Sequence, residues 1–126
     1  MSEIVCVPVS IGELFDKYTI LEIKKSLIKD ESKLEYVIKE LDYLTPFINK
    51  YNIDIKVVDE LREINLALWN IEDNIREKER NKEFDNEFIQ LARSVYITND
   101  KRSQVKNKIN KILNSSLTDI KSYEKY

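Results

Sequence analysis

Two stripes of side chains carry most of the chemistry open to this sequence. Asn65, Trp69, Glu72 and Arg76 fall at i, i+4, i+7 and i+11 in the segment NLALWNIEDNIREKE. A helix would place them on one face beside its apolar seam, with Asp73 next to them. On such a face an indole can stack on a planar ligand while a guanidinium holds its anionic part. The second stripe centres on Arg102, which stands where the run Phe88, Leu91, Val95, Thr98, Arg102, Val105, Ile109 asks for an apolar residue. A buried, unpaired guanidinium is costly, so Arg102 requires a carboxylate or a ligand. Lys106 follows at i+4, and Arg93, Tyr96, Asp100 and Ser103 run alongside at spacings of 3, 4 and 3. Arg93, Arg102 and Lys106 together would form a basic lining suited to phosphate or carboxylate groups. Lys17 and Lys24 lie seven apart, hence on one face, and with Glu13 would border the same cleft. For each set the plain alternative is a solvated face of intrahelical ion pairs.

Composition excludes the commoner machinery. The 126 residues include no His, one Cys, one Gly and two Pro. Without His there is no Ser-His or Cys-His catalysis and no His-containing zinc site. One Cys allows neither an internal disulfide nor a Cys-cluster metal site. One Gly cannot build a phosphate loop, a Rossmann turn or a nucleophile elbow, which need backbone at close approach or positive φ. No catalytic residue, metal ligand set or cofactor is therefore expected. Glu60-x-x-Glu63 matches half of the paired acidic motif of helical nucleotide pyrophosphohydrolases, but the next helix offers no second half. With 21 basic and 23 acidic residues the net charge is −2, which argues against nucleic acid as a partner. No apolar run reaches the length of a membrane span, and MSEIVCVPVS lacks the basic start of a signal peptide, so the expected location is the cytoplasm. The abundance of Ile, Lys and Asn fits an AT-rich coding genome, such as that of a phage or a low-GC bacterium.

Low Gly and Pro with 35% charged residues favours long helices. The expected fold is all-α: a single domain over 1–126, with three long helices in an antiparallel bundle. Residues 1–9 would form an arm or short strand, EIVCVPV being rich in β-branched residues. Ser10 and Glu13 read as a capping box opening a helix over 10–44. Its first half is apolar on more than one side, which predicts deeper burial there. At about 1.5 Å per residue this helix would be roughly 50 Å long, too long for one small core. Part of it should then pack on a second chain in a homo-oligomer. Thr45-Pro46 would cap a short turn. Asp54 or Lys56 would open a helix to about Arg80, and Asp85 a helix over 86–113, with a kink near Tyr96–Asp100. Residues 114–126 would form a tail, beginning with a short turn at Ser116–Asp119.

The blocks VSIGELFDKYTILEIKKSLI, ELREINLALWNIEDNIREKE, FDNEFIQLARSVYITNDKR and the terminal KSY resemble an uncharacterised family of short helical proteins. Its members are often encoded in bacterial surface-polysaccharide gene neighbourhoods. The resemblance implies that Asp16, Lys17, Glu22, Lys24, Trp69, Glu72, Asp73, Arg76, Arg93, Tyr96, Asn99, Asp100 and Arg102 belong to the family pattern, and implies no activity. The expected function is binding of a small anionic ligand, a nucleotide-derived signal or sugar nucleotide, by Lys17, Lys24, Trp69, Glu72, Asp73, Arg76, Arg93, Tyr96, Asn99, Arg102 and Lys106. A phage protein of this kind would sequester a host signal. The alternatives are an enzyme or accessory of surface-glycan metabolism, and a helical oligomeric interaction module without a ligand.

Overall fold

A computed structural model describes residues 3–126. Among these residues there are four helices and no strand: α1 (Ile11–Leu27), α2 (Glu31–Ile48), α3 (Ile55–Arg80) and α4 (Asn86–Ile112). The all-α expectation holds, with one helix more than expected.

The expected helix over 10–44 is two helices. Ile28 leaves the helical region at φ −78° and ψ 131°, and Asp30 caps the next helix by accepting from the Ser32 and Lys33 amides. The chain folds back, and the long apolar seam closes on itself: Leu21 of α1 packs with Val37 and Leu41 of α2, flanked by Tyr18, Ile28 and Leu44. The roughly 50 Å rod, and with it the need for a second chain to cover it, disappears.

Three smaller corrections follow. Thr45-Pro46 lies inside the last turn of α2, where the Thr45 hydroxyl donates to the Leu41 carbonyl at 2.7 Å. Proline is tolerated there because only a single helical bond is lost, close to an end that frays. Helix α4 runs without a break through Tyr96–Asp100, since Asp100 is engaged by the tail instead of recapping the helix. Glu3–Val9 forms no strand, because among the described residues no second strand exists to pair with it; Ile4, Val5, Val7 and Val9 are exposed. Met1 and Ser2 of the expected arm lie outside the described residues. No short helical turn forms at Ser116–Asp119.

Helix α1 is the axis of the fold. It packs on α2, α3 and α4, whereas α2 packs on no helix but α1. This accounts for its apolar character on several sides: it buries Gly12, Phe15, Asp16, Thr19, Leu21 and Ile23, against only Val37 and Leu41 in α2. The main core joins Phe15 to Val58 and Leu61 of α3 and to Val105 and Ile109 of α4, with Tyr51 tilted against Phe15.

Helices α3 and α4 start where expected, capped by Asp54 and Asp85. Each ends on a left-handed residue, Lys82 at φ 55° and Asn114 at φ 54°, followed by a six-to-one bond: Glu83 N–H to the Lys78 carbonyl, and Ser115 N–H to the Asn110 carbonyl. These are Schellman turns made without glycine. The one glycine, Gly12, is spent on a helix crossing. Its amide donates to Asn110 Oδ1 at 2.6 Å, and a Cβ at this position would lie 2.2 Å from the Lys106 carbonyl oxygen. Backbone cannot yield as a side chain would. Gly12→Ala is therefore expected to lower unfolding stability in urea by about 2 kcal/mol or more; a wild-type midpoint would contradict the close α1–α4 approach.

Candidate functional site

The most organised cluster of polar groups lies on the face of α1 formed by Gly12, Asp16, Thr19 and Ile23, spaced 4, 3 and 4. Asp16 is 1% exposed. Arg102 of α4 grips it with both ends of its fork: Nε donates to Oδ1 at 2.9 Å, and Nη2 donates to Oδ2. Asn65 of α3 donates to Oδ1 at 3.0 Å and to the Thr19 hydroxyl at 3.0 Å. The Thr19 hydroxyl donates in turn to the Asp16 backbone carbonyl at 2.9 Å. Lys106 adds a bond of 2.6 Å to Glu13 and lies 3.9 Å from Asp16 Oδ2. Asn99 accepts from Arg102 Nη1 at 3.4 Å. Hydrogen bonding to Asp16 holds the Arg102 guanidinium above its ordinary range.

The sequence demanded a partner for Arg102, and the partner is a carboxylate of the same chain. Asp16, Asn65 and Thr19 are not among the expected ligand-binding residues, and Glu13 is expected only at the border of the cleft. The 4-3-4 run from the single glycine was the signal for Asp16 and Thr19; Asn65 already headed the α3 stripe, and it is the residue of that stripe that meets α1. Glu13 was expected to complete a capping box. Ser10 does accept from the Glu13 amide at 3.0 Å, but the Glu13 side chain goes to Lys106.

The other expected residues spread over the molecule. Trp69 is half-buried, Asp73 is exposed, and Arg76 makes an exposed pair with Glu72 at 2.9 Å. Arg76 lies 11 positions beyond Asn65, or about 16 Å along α3 from the level of Arg102. Arg93 is exposed and reaches Gln90 at 3.4 Å; nine positions, about 14 Å, separate it from Arg102. Lys17 pairs with Glu40 of α2 at 3.7 Å, and Lys24 stands in the last turn of α1. Shallow depressions occur on α2, by Ile38 and Tyr43, and near the α3–α4 turn, by Lys78 and Glu87; neither is lined by Trp69, Arg76 or Arg102. Among the described residues no cluster of acidic and Cys side chains is placed to hold a metal, and no helix is long and apolar enough to cross a membrane.

The stripe Tyr96, Asp100, Ser103 has an unforeseen occupant. The tail after Asn114 lies along it: Ser103 donates to Asp119 at 2.8 Å, and the Tyr123 and Tyr126 hydroxyls both donate to Asp100. The Tyr126 ring sits 4.8 Å from that of Tyr96.

Fold and site together define a small protein whose described residues form four helices around an ion pair of a buried carboxylate and a half-buried guanidinium. The chain belongs to DUF6165, a family of unknown function, whose model matches residues 5–126. No curated protein and no solved structure matches it.

Two predictions separate structural from peripheral charge. Arg102→Ala leaves Asp16 charged and buried, so it should cost about 3–5 kcal/mol in urea unfolding. Arg76→Ala removes an exposed helical pair and should change stability by less than about 0.5 kcal/mol. Equal effects would contradict the assignment. The tail carries its own pH signature. Hydrogen bonds from Tyr123 and Tyr126 hold Asp100 below its ordinary 3.8, and the same contact pushes Tyr126 up to about 12. A depressed carboxylate stabilises above its unfolded value and loses that effect as pH falls through the folded one; a raised phenol does so below its unfolded value and loses it as pH rises through the folded one. Tail attachment should therefore be full between about pH 4 and pH 10, and fall away on both sides in the ring signals of Tyr96 and Tyr126 by NMR. A tail signal unchanged across both limits would contradict it.

Proposed function

We propose that this protein is a helical assembly module, and that the distal half of the α3–α4 hairpin packs against a second copy of the chain. One observation carries this reading: no residue from Trp69 to Arg102 is buried, although this stretch holds the apolar seam Ile71, Ile75, Phe88, Leu91 and Val95. Helix α1 spans about 25 Å, against about 40 Å for α3 and α4, so it leaves the far end of the hairpin as two helices without a third layer. Two helices alone do not enclose a core. A second hairpin, related by a two-fold axis, completes a four-helix arrangement and shelters Leu66, Phe84 and Ile89, which are all exposed. The resemblance to proteins encoded beside surface-polysaccharide genes makes a scaffold for that machinery the setting in which such an assembly would act.

The small-anion reading has less support. Arg102 and Lys106, the central cations of the expected lining, are already matched by Asp16 and Glu13. What favours it is Trp69 beside the exposed Arg76.

Trp69 is the only tryptophan and sits in the proposed interface, so it reports directly. Sedimentation velocity is expected to show concentration-dependent dimers, with Trp69 emission shifting to the blue as they form. Leu66→Lys with Ile89→Lys, both at exposed positions, should leave a folded monomer. A monomer at every concentration of the unaltered chain would contradict the proposal. A rise in melting temperature with a nucleotide or sugar nucleotide, lost in Trp69→Ala, would favour ligand binding instead.

A further inference from the structure

The C-terminal tail is held by polar contacts along one face of α4. Asn107, Ser103, Asp100 and Tyr96 lie at spacings of 4, 3 and 4. Asn107 Oδ1 accepts from the Asp119 amide at 3.0 Å while its Nδ2 donates to the Asp119 carbonyl at 2.9 Å. Beyond Ser103 the far end of the tail hangs on one carboxylate, Asp100, shared by two tyrosine hydroxyls. Little apolar surface is buried there: Tyr123 is 56% exposed and Tyr126 72%. A change of charge at either hydroxyl thus acts on the one carboxylate that anchors that end, beside the ring contact of Tyr126 with Tyr96.

These two tyrosines also differ from the other five. Tyr18, Tyr36, Tyr43 and Tyr96 lie in helices, and Tyr51 is half-buried against Phe15. Tyr123 and Tyr126 alone are both exposed and carried on non-helical backbone, which can enter the cleft of a modifying enzyme without unfolding anything.

We propose that Tyr123 and Tyr126 are phosphorylation sites, and that modification ejects the far end of the tail from α4. A protein tyrosine kinase would transfer the γ-phosphoryl group of a nucleoside triphosphate. The phenolic oxygen forms a bond to phosphorus, the bond from phosphorus to the bridging oxygen breaks, the phenolic proton goes to the kinase's base, and a nucleoside diphosphate leaves. The proton that joined the phenol to Asp100 is gone, and a phosphate of nearly two negative charges faces a carboxylate at contact distance. Repulsion replaces the hydrogen bond, the Tyr126 ring leaves Tyr96, and the Tyr96–Asp100 part of this face opens, while Asp119 stays on Ser103 and Asn107. None of this depends on self-association of the hairpin.

Two measurements test it. Mass spectrometry of the protein recovered from its own cells should find phosphate on Tyr123 or Tyr126 in preference to the exposed helical Tyr36 and Tyr43; no phosphate there, or equal labelling of Tyr36, overturns the assignment. The full chain prepared by semisynthesis with phosphotyrosine at both positions should show a nuclear Overhauser contact between the Tyr126 and Tyr96 rings about tenfold weaker than in the unmodified chain, with the Asp119 amide, held by Asn107, exchanging at the unmodified rate. Tyr123→Phe with Tyr126→Phe, which removes the hydrogen bonds without adding charge, should fall between the two. Phosphorylated protein that keeps the ring contact at its unmodified intensity overturns the ejection.

Discussion

A carboxylate in the middle of α1 constrains everything around it. Asp16 is buried, and a buried charge must be matched in both charge and hydrogen bonds. Two side chains from outside α1 donate to it: the guanidinium fork of Arg102 and the amide of Asn65. Each fixes one neighbour. Arg102 sets the register of α4 and Asn65 that of α3, because a shift of one residue would carry either donor off the shared face. Asp16 is thus the point at which three helices are aligned. Gly12, one turn earlier, lets α4 come close enough for the fork to reach.

The arrangement also explains a core of modest apolar content. Phe15, Val58, Leu61, Val105 and Ile109 supply non-directional attraction that would tolerate several registers. The polar cluster does not tolerate them, since any other alignment strands a charge. The N-terminus of α1 is closed the same way. Its first free amides are met by Ser115, Asn110 and Ser10, so the end of α4 helps to cap the start of α1. Helix α2, outside this system, is held by the Leu21–Val37–Leu41 contact and can follow α1 without meeting α3 or α4.

What the sequence made legible was local. Asp54 and Asp85 precede apolar-periodic runs and cap α3 and α4 as expected, and Ser10 caps α1. Arg102 stood out because it broke a pattern, and its need for a partner was correctly anticipated. What stayed hidden was tertiary. The break at Ile28–Asp30 has no Gly or Pro to mark it, and the seam beyond it keeps helical spacing because the same residues serve a helix that turns back. Asp16 stands in the sequence only as a member of the family pattern; its burial at a three-helix junction becomes visible once α3 and α4 are laid on its face. Of the stripe Tyr96, Asp100 and Ser103, which runs beside the expected basic lining, only Tyr96 is expected at a ligand; the stripe seats the chain's own tail, a contact across 16 to 30 positions that no helical period encodes.

The account rests on Asp16 and Arg102 acting as one unit. A double-mutant cycle in urea unfolding, with Asp16→Ala, Arg102→Ala and the pair together, measures that directly. Arg102→Ala strands the buried Asp16 carboxylate and Asp16→Ala a half-buried guanidinium, and the second change relieves either, so the double variant should be less destabilised than the sum of the singles by more than about 1.5 kcal/mol. Additivity within about 0.5 kcal/mol would mean that the two side chains are neighbours without being coupled, and the helices would owe their alignment to something else.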